Sequence, residues 1–349
     1  MRRFVAVVCL VVVAGCGGSS PPSQQELAQR DAARFLDRFV DSNGRVVRRD
    51  QGGDTVSEGQ AYAMLLAVAT NDRATFARVW NWTRRNLQRD DLLLSWHWQR
   101  GHVDDDSPSA DADLDAAHAL ALAARRFKQP GYATEARRMG AAIRATETID
   151  TPAGGVLAAG PWSTPQRLAN PSYTDPGAIK TLGKLGDGAS WQRLATASKR
   201  MVGSVAHAGS LPPDWAKVMD DGSAAPSSPP GTSGAAEYSF DAARVPIRFA
   251  ASCTLDGRRL AAQLWPRLRV QPALLPRKLG GAPAPQAQPS AVGLAGAAAA
   301  AAAAGKPDTA ARLLDQASAS ERKHPNYFGS AIVALTRAGV MTPMLGSCR

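Results

Sequence analysis

The sequence predicts an all-α fold in which about a dozen helices close into a toroid or stack as a solenoid. Apolar residues recur at three- and four-residue spacing along most of the chain after Gln24. Val/Ile/Thr-rich alternating runs are scarce, and neither a βαβ alternation nor a Gly-rich phosphate loop is present. No residue-level repeat of fixed period is visible, which argues against a simple repeat array. The 349 residues are 44% hydrophobic and 20% charged. That composition excludes a disordered or collagen-like chain and supports a sizeable core.

The first segment is an address. Met1-Arg-Arg is basic, Phe4 to Ala14 is apolar and uncharged, and Val13-Ala-Gly-Cys16 closes the run with small residues. This pattern is a bacterial export signal, too short for a comfortable transmembrane helix. Its end is similar to a lipobox, with cleavage before Cys16 and lipid on that thiol; an ordinary signal with an incidental cysteine is the alternative. The expected organisation is a signal at 1–15, a flexible tether at 16–24 and one folded domain at 25–349. Export places the domain in the periplasm or at the cell surface. Cys253 and Cys348 then either pair in an oxidising compartment or stand as two separate buried thiols.

The expected helices are Gln24–Asp41, Glu58–Thr70, Arg73–Leu87, Asp111–Phe127, Tyr132–Thr146, Asp175–Leu185, Ala189–His207, Glu237–Ala251, Leu255–Arg269, Ala291–Ala304, Lys306–Ala319 and Tyr327–Ala338. Thr55 and Glu58 have capping-box spacing before the second of these. Acids open the Asp111 and Glu237 helices, where they complement the dipole. Ala297–Ala304 is an unbroken alanine run, a strong helix former that lets a neighbour approach closely. Leu87–Ala110, Asp220–Ala236 and Gly280–Ser290 are expected as long loops, the usual carriers of function on a rigid scaffold.

Net charge is +11, and only eight of the 41 basic residues are Lys. The Arg residues are scattered, and no base-stacking module accompanies them, so nucleic acid is not the expected partner. No HExxH, zinc-finger or GxSxG spacing occurs. His97 and His102 beside Asp104-Asp105-Asp106 suit a solvated acidic loop better than a metal site. What remains is carboxylates and tryptophans. Trp80, Trp82, Trp96 and Trp98 crowd between two acid clusters, Glu58 and Asp111-Ala-Asp113-Leu-Asp115. Indole faces stack on sugar rings, and a pair of acids in an aromatic cleft is what glycoside hydrolysis needs.

These residues carry a resemblance. Ser57-Glu-Gly-Gln-Ala-Tyr-Ala-Met64, Asn71-Asp72, Trp80-Asn-Trp-Thr83, Leu94-Ser-Trp-His-Trp98, Ser109-Ala-Asp-Ala-Asp-Leu-Asp115, Asn170-Pro-Ser-Tyr173, Pro213-Asp-Trp215, Phe240-Asp-Ala-Ala-Arg244 and Tyr327-Phe328 occur in order. The set resembles glycoside hydrolase family 8, and its length resembles the endoglucanases of bacterial cellulose synthesis. The resemblance implies an (α/α)6 barrel that hydrolyses β-1,4-glucan internally with inversion, without metal or organic cofactor. It implies Glu58 as general acid and Asp241 as general base. It matches Asp113, with Asp111 close by, to the carboxylate that holds the sugar at the cleavage point. Arg244 and Tyr173 match residues near that subsite, and Trp96, Trp98 and Tyr327 are further expected sugar contacts. From the residues alone, Asp115 is expected to be a helix-surface or supporting acid and Glu237 a first-turn acid of the Asp241 helix.

Glu58 must hold a proton near neutral pH, although a helix start favours the anion. The expectation is therefore a partly buried Glu58 facing a carboxylate such as Asp113. Asp241 is expected to be paired with Arg244 one turn on. Xylan, mixed-linkage β-glucan or chitosan are alternative substrates. A non-catalytic glucan-binding lipoprotein, with an acid blocked by Asp220–Ala236, is the alternative outside catalysis. Membrane attachment through Cys16 and a link to cellulose synthase complete the expected partners.

Overall fold

The computed structural model describes residues 21–345. The segment expected to direct export, with Cys16, and Cys348 lie outside the described residues. Cys253 is disulfide-bonded, so the reading of it as a separate thiol is set aside.

Among the described residues the α-helices are α1 Gln24–Phe39, α2 Ser57–Ala69, α3 Arg73–Asn86, α4 Ala110–Arg126, α5 Pro130–Thr146, α6 Pro176–Gly183, α7 Gly188–Val205, α8 Arg244–Ala251, α9 Leu255–Leu268, α10 Ala291–Ala303, α11 Pro307–Lys323 and α12 Tyr327–Thr336. The even-numbered helices touch in sequence, α2 to α4, α6, α8, α10, α12 and back to α2. The odd-numbered helices pack outside them: α3 on α2, α5 on α4, α7 on α6, α9 between α8 and α10, α11 on α10 and α12, and α1 on α12 and α2. This closed double ring is an (α/α)6 barrel.

Burial explains which helix takes which place. Inner helices are covered on all sides, so they need no polar stripe. α2 is buried from Gly59 to Ala69, α4 from Ala110 to Ala123, and α10 from Ala291 to Ala301. α1 buries only Ala28, Asp31, Ala32, Phe35, Leu36 and Phe39 and turns its other residues outward. The alanines of α10 allow close neighbours. A Cβ on Gly296 would stand 2.7 Å from the Ala243 carbonyl oxygen, so the chain before α8 lies directly on α10.

Outer and inner helices alternate along the chain, which makes the inner ones parallel. Their N-termini therefore gather at one end of the ring.

Several expected loops are hairpins instead. β1 Thr55–Val56, β2 Ser95–Gln99 and β3 His102–Pro108 form an antiparallel sheet, so Trp96-His-Trp98 lies on a strand. Leu274–Lys278 pairs with Pro283–Pro289 and with Glu237–Tyr238. Glu237 thus belongs to a strand rather than a first helical turn, and α8 starts only at Arg244. Ala224–Ser227 pairs with Trp215–Val218 inside the expected Asp220–Ala236 loop. The capping box at Thr55 does not form: α2 has Val56 as its N-cap, and the Thr55 hydroxyl donates to the Val46 carbonyl at 2.6 Å.

Candidate active site

The N-terminal ends of the inner helices deliver the chemistry. Glu58 stands in the first turn of α2 and Asp111 in the first turn of α4. Tyr173 closes a short 3-10 turn ahead of α6, Asp241 sits in the turn before α8, and Tyr327 opens α12. Glu58, Tyr62, Asp241, Arg244, Tyr327 and Phe328 line one cleft of about 730 Å³. None of residues 220–236 lines it.

Arg244, 4% exposed, organises the floor. Its guanidinium donates to Asp111 Oδ2 at 2.6 Å, to the Tyr62 hydroxyl at 3.0 Å and to Asp241 Oδ1 at 2.7 Å. The Tyr173 ring lies 5.4 Å from the guanidinium carbon, a cation–π contact in a dry setting. Asp241 Oδ2 accepts from Asn170 Nδ2 at 2.9 Å. Asp111 also accepts from the Ser109 hydroxyl at 2.8 Å. Charge-assisted bonds of this kind fix side chains more firmly than neutral ones.

Glu58 differs from Asp241: it forms no ion pair among the described residues. Burial and the neighbouring Asp111 carboxylate push its carboxyl up to about 7, against the opposing pull of Arg244 and Arg48. The helix terminus alone would have favoured the anion. The facing acid is thus Asp111 rather than Asp113. Trp96 Nε1 donates to Glu58 Oε1 at 3.3 Å, and its indole is exposed.

Three expected sugar contacts have different surroundings. Asp113 is fully buried below the cleft, where its Oδ1 accepts the Leu94 N–H at 2.8 Å and its carboxyl meets Glu147. Two positions along a helix turn the side chain well away, so Asp111 faces the site and Asp113 the interior. Trp98 is two residues from Trp96 on the same strand, yet it packs edge-on to Trp82 at 5.3 Å with the Arg45 guanidinium 4.3 Å from its ring. Tyr327 is buried at the wall, its hydroxyl 2.6 Å from where a Gly59 Cβ would be. Only glycine beside Glu58 leaves room for that ring.

Asp115, expected at a surface or in support, is buried and paired with Arg248, which also reaches Asp175 at 3.0 Å. Glu237 lies outside the cleft and accepts from Gln286 at 3.2 Å. His97 bridges Asp54 at 2.7 Å and Asp104 at 3.2 Å. Among the described residues no cluster of three or more His, Cys, Asp or Glu side chains is arranged for a metal ion. Sequence reasoning missed Asn170 as a partner of Asp241 and Arg48 as a cleft residue. It also missed the Phe240–Phe328 pair at the rim, with rings 6.5 Å apart. The Asn170-Pro-Ser-Tyr, Phe240-Asp and Tyr327-Phe328 motifs had signalled all of these residues except Arg48.

A cleft with one carboxyl that holds its proton near neutrality and another tied to Arg can protonate one atom and activate water at another. A profile described as glycosyl hydrolases family 8 matches residues 6–337.

The chain belongs to glycosyl hydrolases family 8.

It is a glycoside hydrolase on the (α/α)6 barrel. A probable endoglucanase of Novacetimonas hansenii is 32% identical over 251 residues, 68% of this chain and 71% of that one. An endo-β-1,4-glucanase structure from Acetobacter xylinum superposes with a TM-score of 0.75 at 26% identity, covering 90% of this chain and 98% of that chain. A β-1,3-1,4-glucanase structure from Paenibacillus sp. X4 has a TM-score of 0.76 at 17% identity, with 95% and 96% covered. That last likeness speaks for the fold alone.

Proposed function

We propose that this family 8 hydrolase is an endo-β-1,4-glucanase that cuts cellulose-type glucan with inversion, Glu58 acting as acid and Asp241 as base. Glu58 donates its proton to the glycosidic oxygen as the C1–O bond breaks. Asp241 takes a proton from water as the water oxygen bonds C1 from the opposite face. Glu58 ends as the anion and Asp241 as the acid, and solvent restores both. Arg244 keeps Asp241 and Asp111 in place, so the charge that develops at the sugar meets a prearranged field. Asp111 is the carboxylate whose charge raises Glu58, and Trp96 offers an exposed indole beside Glu58. The observation that carries the reading is Glu58, without an ion pair and pushed up to about 7 by burial and Asp111, in the same cleft as an Arg-paired Asp241.

The preference for β-1,4-glucan rests on the endoglucanase relatives. Reducing-end release and viscosity loss, measured on carboxymethylcellulose, mixed-linkage β-glucan, xylan and chitosan, test it. Fast viscosity loss on carboxymethylcellulose supports the proposal, and cleavage confined to xylan or chitosan refutes it.

The amino-terminal pattern supports export and lipid attachment at Cys16, with the enzyme held at a membrane. Labelled palmitate incorporation that is lost in Cys16→Ser tests this. A link to cellulose synthase rests on the sequence resemblance alone.

A further inference from the structure

Asp241 is not held by a helix. It lies in the turn between the Glu237–Tyr238 strand and α8, where backbone N–H groups lack helical partners. Asp214, which does not line the cleft, supplies them. Its Oδ1 accepts the Ser239 N–H at 2.9 Å and the Ala242 N–H at 2.8 Å, the two amides that bracket Phe240-Asp241. Its own N–H donates to the Glu237 carbonyl at 2.8 Å. The turn is then closed by Ala243 N–H to Ser239 O at 3.0 Å and Arg244 N–H to Asp241 O at 2.9 Å.

We infer that Asp214 is a positioning residue: its carboxyl oxygen clamps the 239–242 turn so that Asp241 addresses the water that attacks the sugar. The inference rests on the proposed role of Asp241 as base. A general base must stand within hydrogen-bond reach of its water, and a displacement of about 1 Å costs roughly 100-fold in rate. Arg244 and Asn170 hold the Asp241 oxygens from the front, and Asp214 holds the backbone from behind. The charged groups around Asp214 are Asp241 and Arg244, and burial with the Asp241 charge pushes it up to about 7. The clamp needs an acceptor oxygen rather than a charge, so an amide can replace it.

The test compares Asp214→Ala, Asp214→Asn, Asp241→Asn and Glu58→Gln on a cello-oligosaccharide and on β-cellobiosyl fluoride. Fluoride departs without an acid but still needs the base. Asp214→Ala is expected to lose about 100-fold in kcat on both substrates, with KM within about threefold. Asp214→Asn is expected to stay within about threefold of the wild type. Glu58→Gln is expected to fail on the oligosaccharide and to recover on the fluoride. Should Asp214→Ala not fold, Asp214→Glu moves the acceptor by one methylene and gives the same kcat-against-KM reading. An active Asp241→Asn overturns the base assignment itself. An inactive Asp241→Asn beside a fully active Asp214→Ala, or an Asp214→Asn as damaged as Asp214→Ala, overturns the clamp alone.

Discussion

Arg244 Nη1 lies 2.6 Å from Asp111 Oδ2, a buried ion pair that joins α8 to α4 across the inner ring. A buried charge stripped of its partner is costly, by about 3–5 kcal/mol. Arg244→Met, which leaves Asp111 and Asp241 uncompensated, is expected to lower unfolding stability by about that amount. Lys199→Met, which breaks an exposed pair with Asp256, is expected to leave the urea midpoint unchanged. Equal midpoints for both variants would remove Arg244 from the role of organiser.

The proposed acid sets the expected alkaline limit of activity. In that role Glu58 acts while protonated, and burial and Asp111 push it up to about 7. The kcat/KM profile is therefore expected to fall as pH rises through about 7. Asp111→Asn removes a charge that raises Glu58 and frees Arg244 to lower it. The alkaline limb is expected to move to lower pH in that variant. A limb that stays or moves upward contradicts the coupling.

The interior holds a second pair of acids with a different consequence. Asp113 and Glu147 are buried against each other, and burial raises both carboxyls well above their ordinary range. Each binds its proton more tightly in the native state than when unfolded. Their stabilising contribution is whole below the ordinary carboxylate range and is lost as pH rises through the raised native values. The urea midpoint is expected to decline as pH rises above the ordinary carboxylate range, and less steeply in Glu147→Gln. Parallel declines would show that the pair does not carry the effect.

Trp96 and Trp98 separate by face. Residues two apart on a regular strand share a face, and the register shifts around His97 break that rule, leaving Trp96 beside Glu58 and Trp98 against Trp82. Trp96→Ala is expected to raise KM by about two- to tenfold with little change in stability. Trp98→Ala is expected to cost about 1–3 kcal/mol of stability with KM retained. A KM effect for Trp98→Ala and none for Trp96→Ala would reverse the assignment.

The barrel was legible because outer helices such as α1 show the 3.6-residue pattern and inner ones such as α2 and α10 show as continuous apolar, alanine-rich runs. The helix starts at Glu58 and Asp111 were legible because acids and small residues mark first turns. The hairpins were not: Trp96-His-Trp98 and the Pro/Ala-rich 283–289 strand take their form from cross-strand partners distant in sequence. The choice between Asp111 and Asp113 also escaped, since both lie in one first turn and only the position of Arg244 selects Asp111. Asp214 showed as part of a motif, but its use depends on amides 25 and 28 residues away.

The stereochemistry of the first turnover tests the Glu58–Asp241 assignment most directly. Proton NMR of a cello-oligosaccharide digest, read before mutarotation, reports the anomer released at the new reducing end. Water delivered by Asp241 to the face opposite the leaving group yields the α-anomer. A β-anomer as first product would mean that a carboxylate attacks the sugar itself, and the acid–base pair assigned here would be wrong.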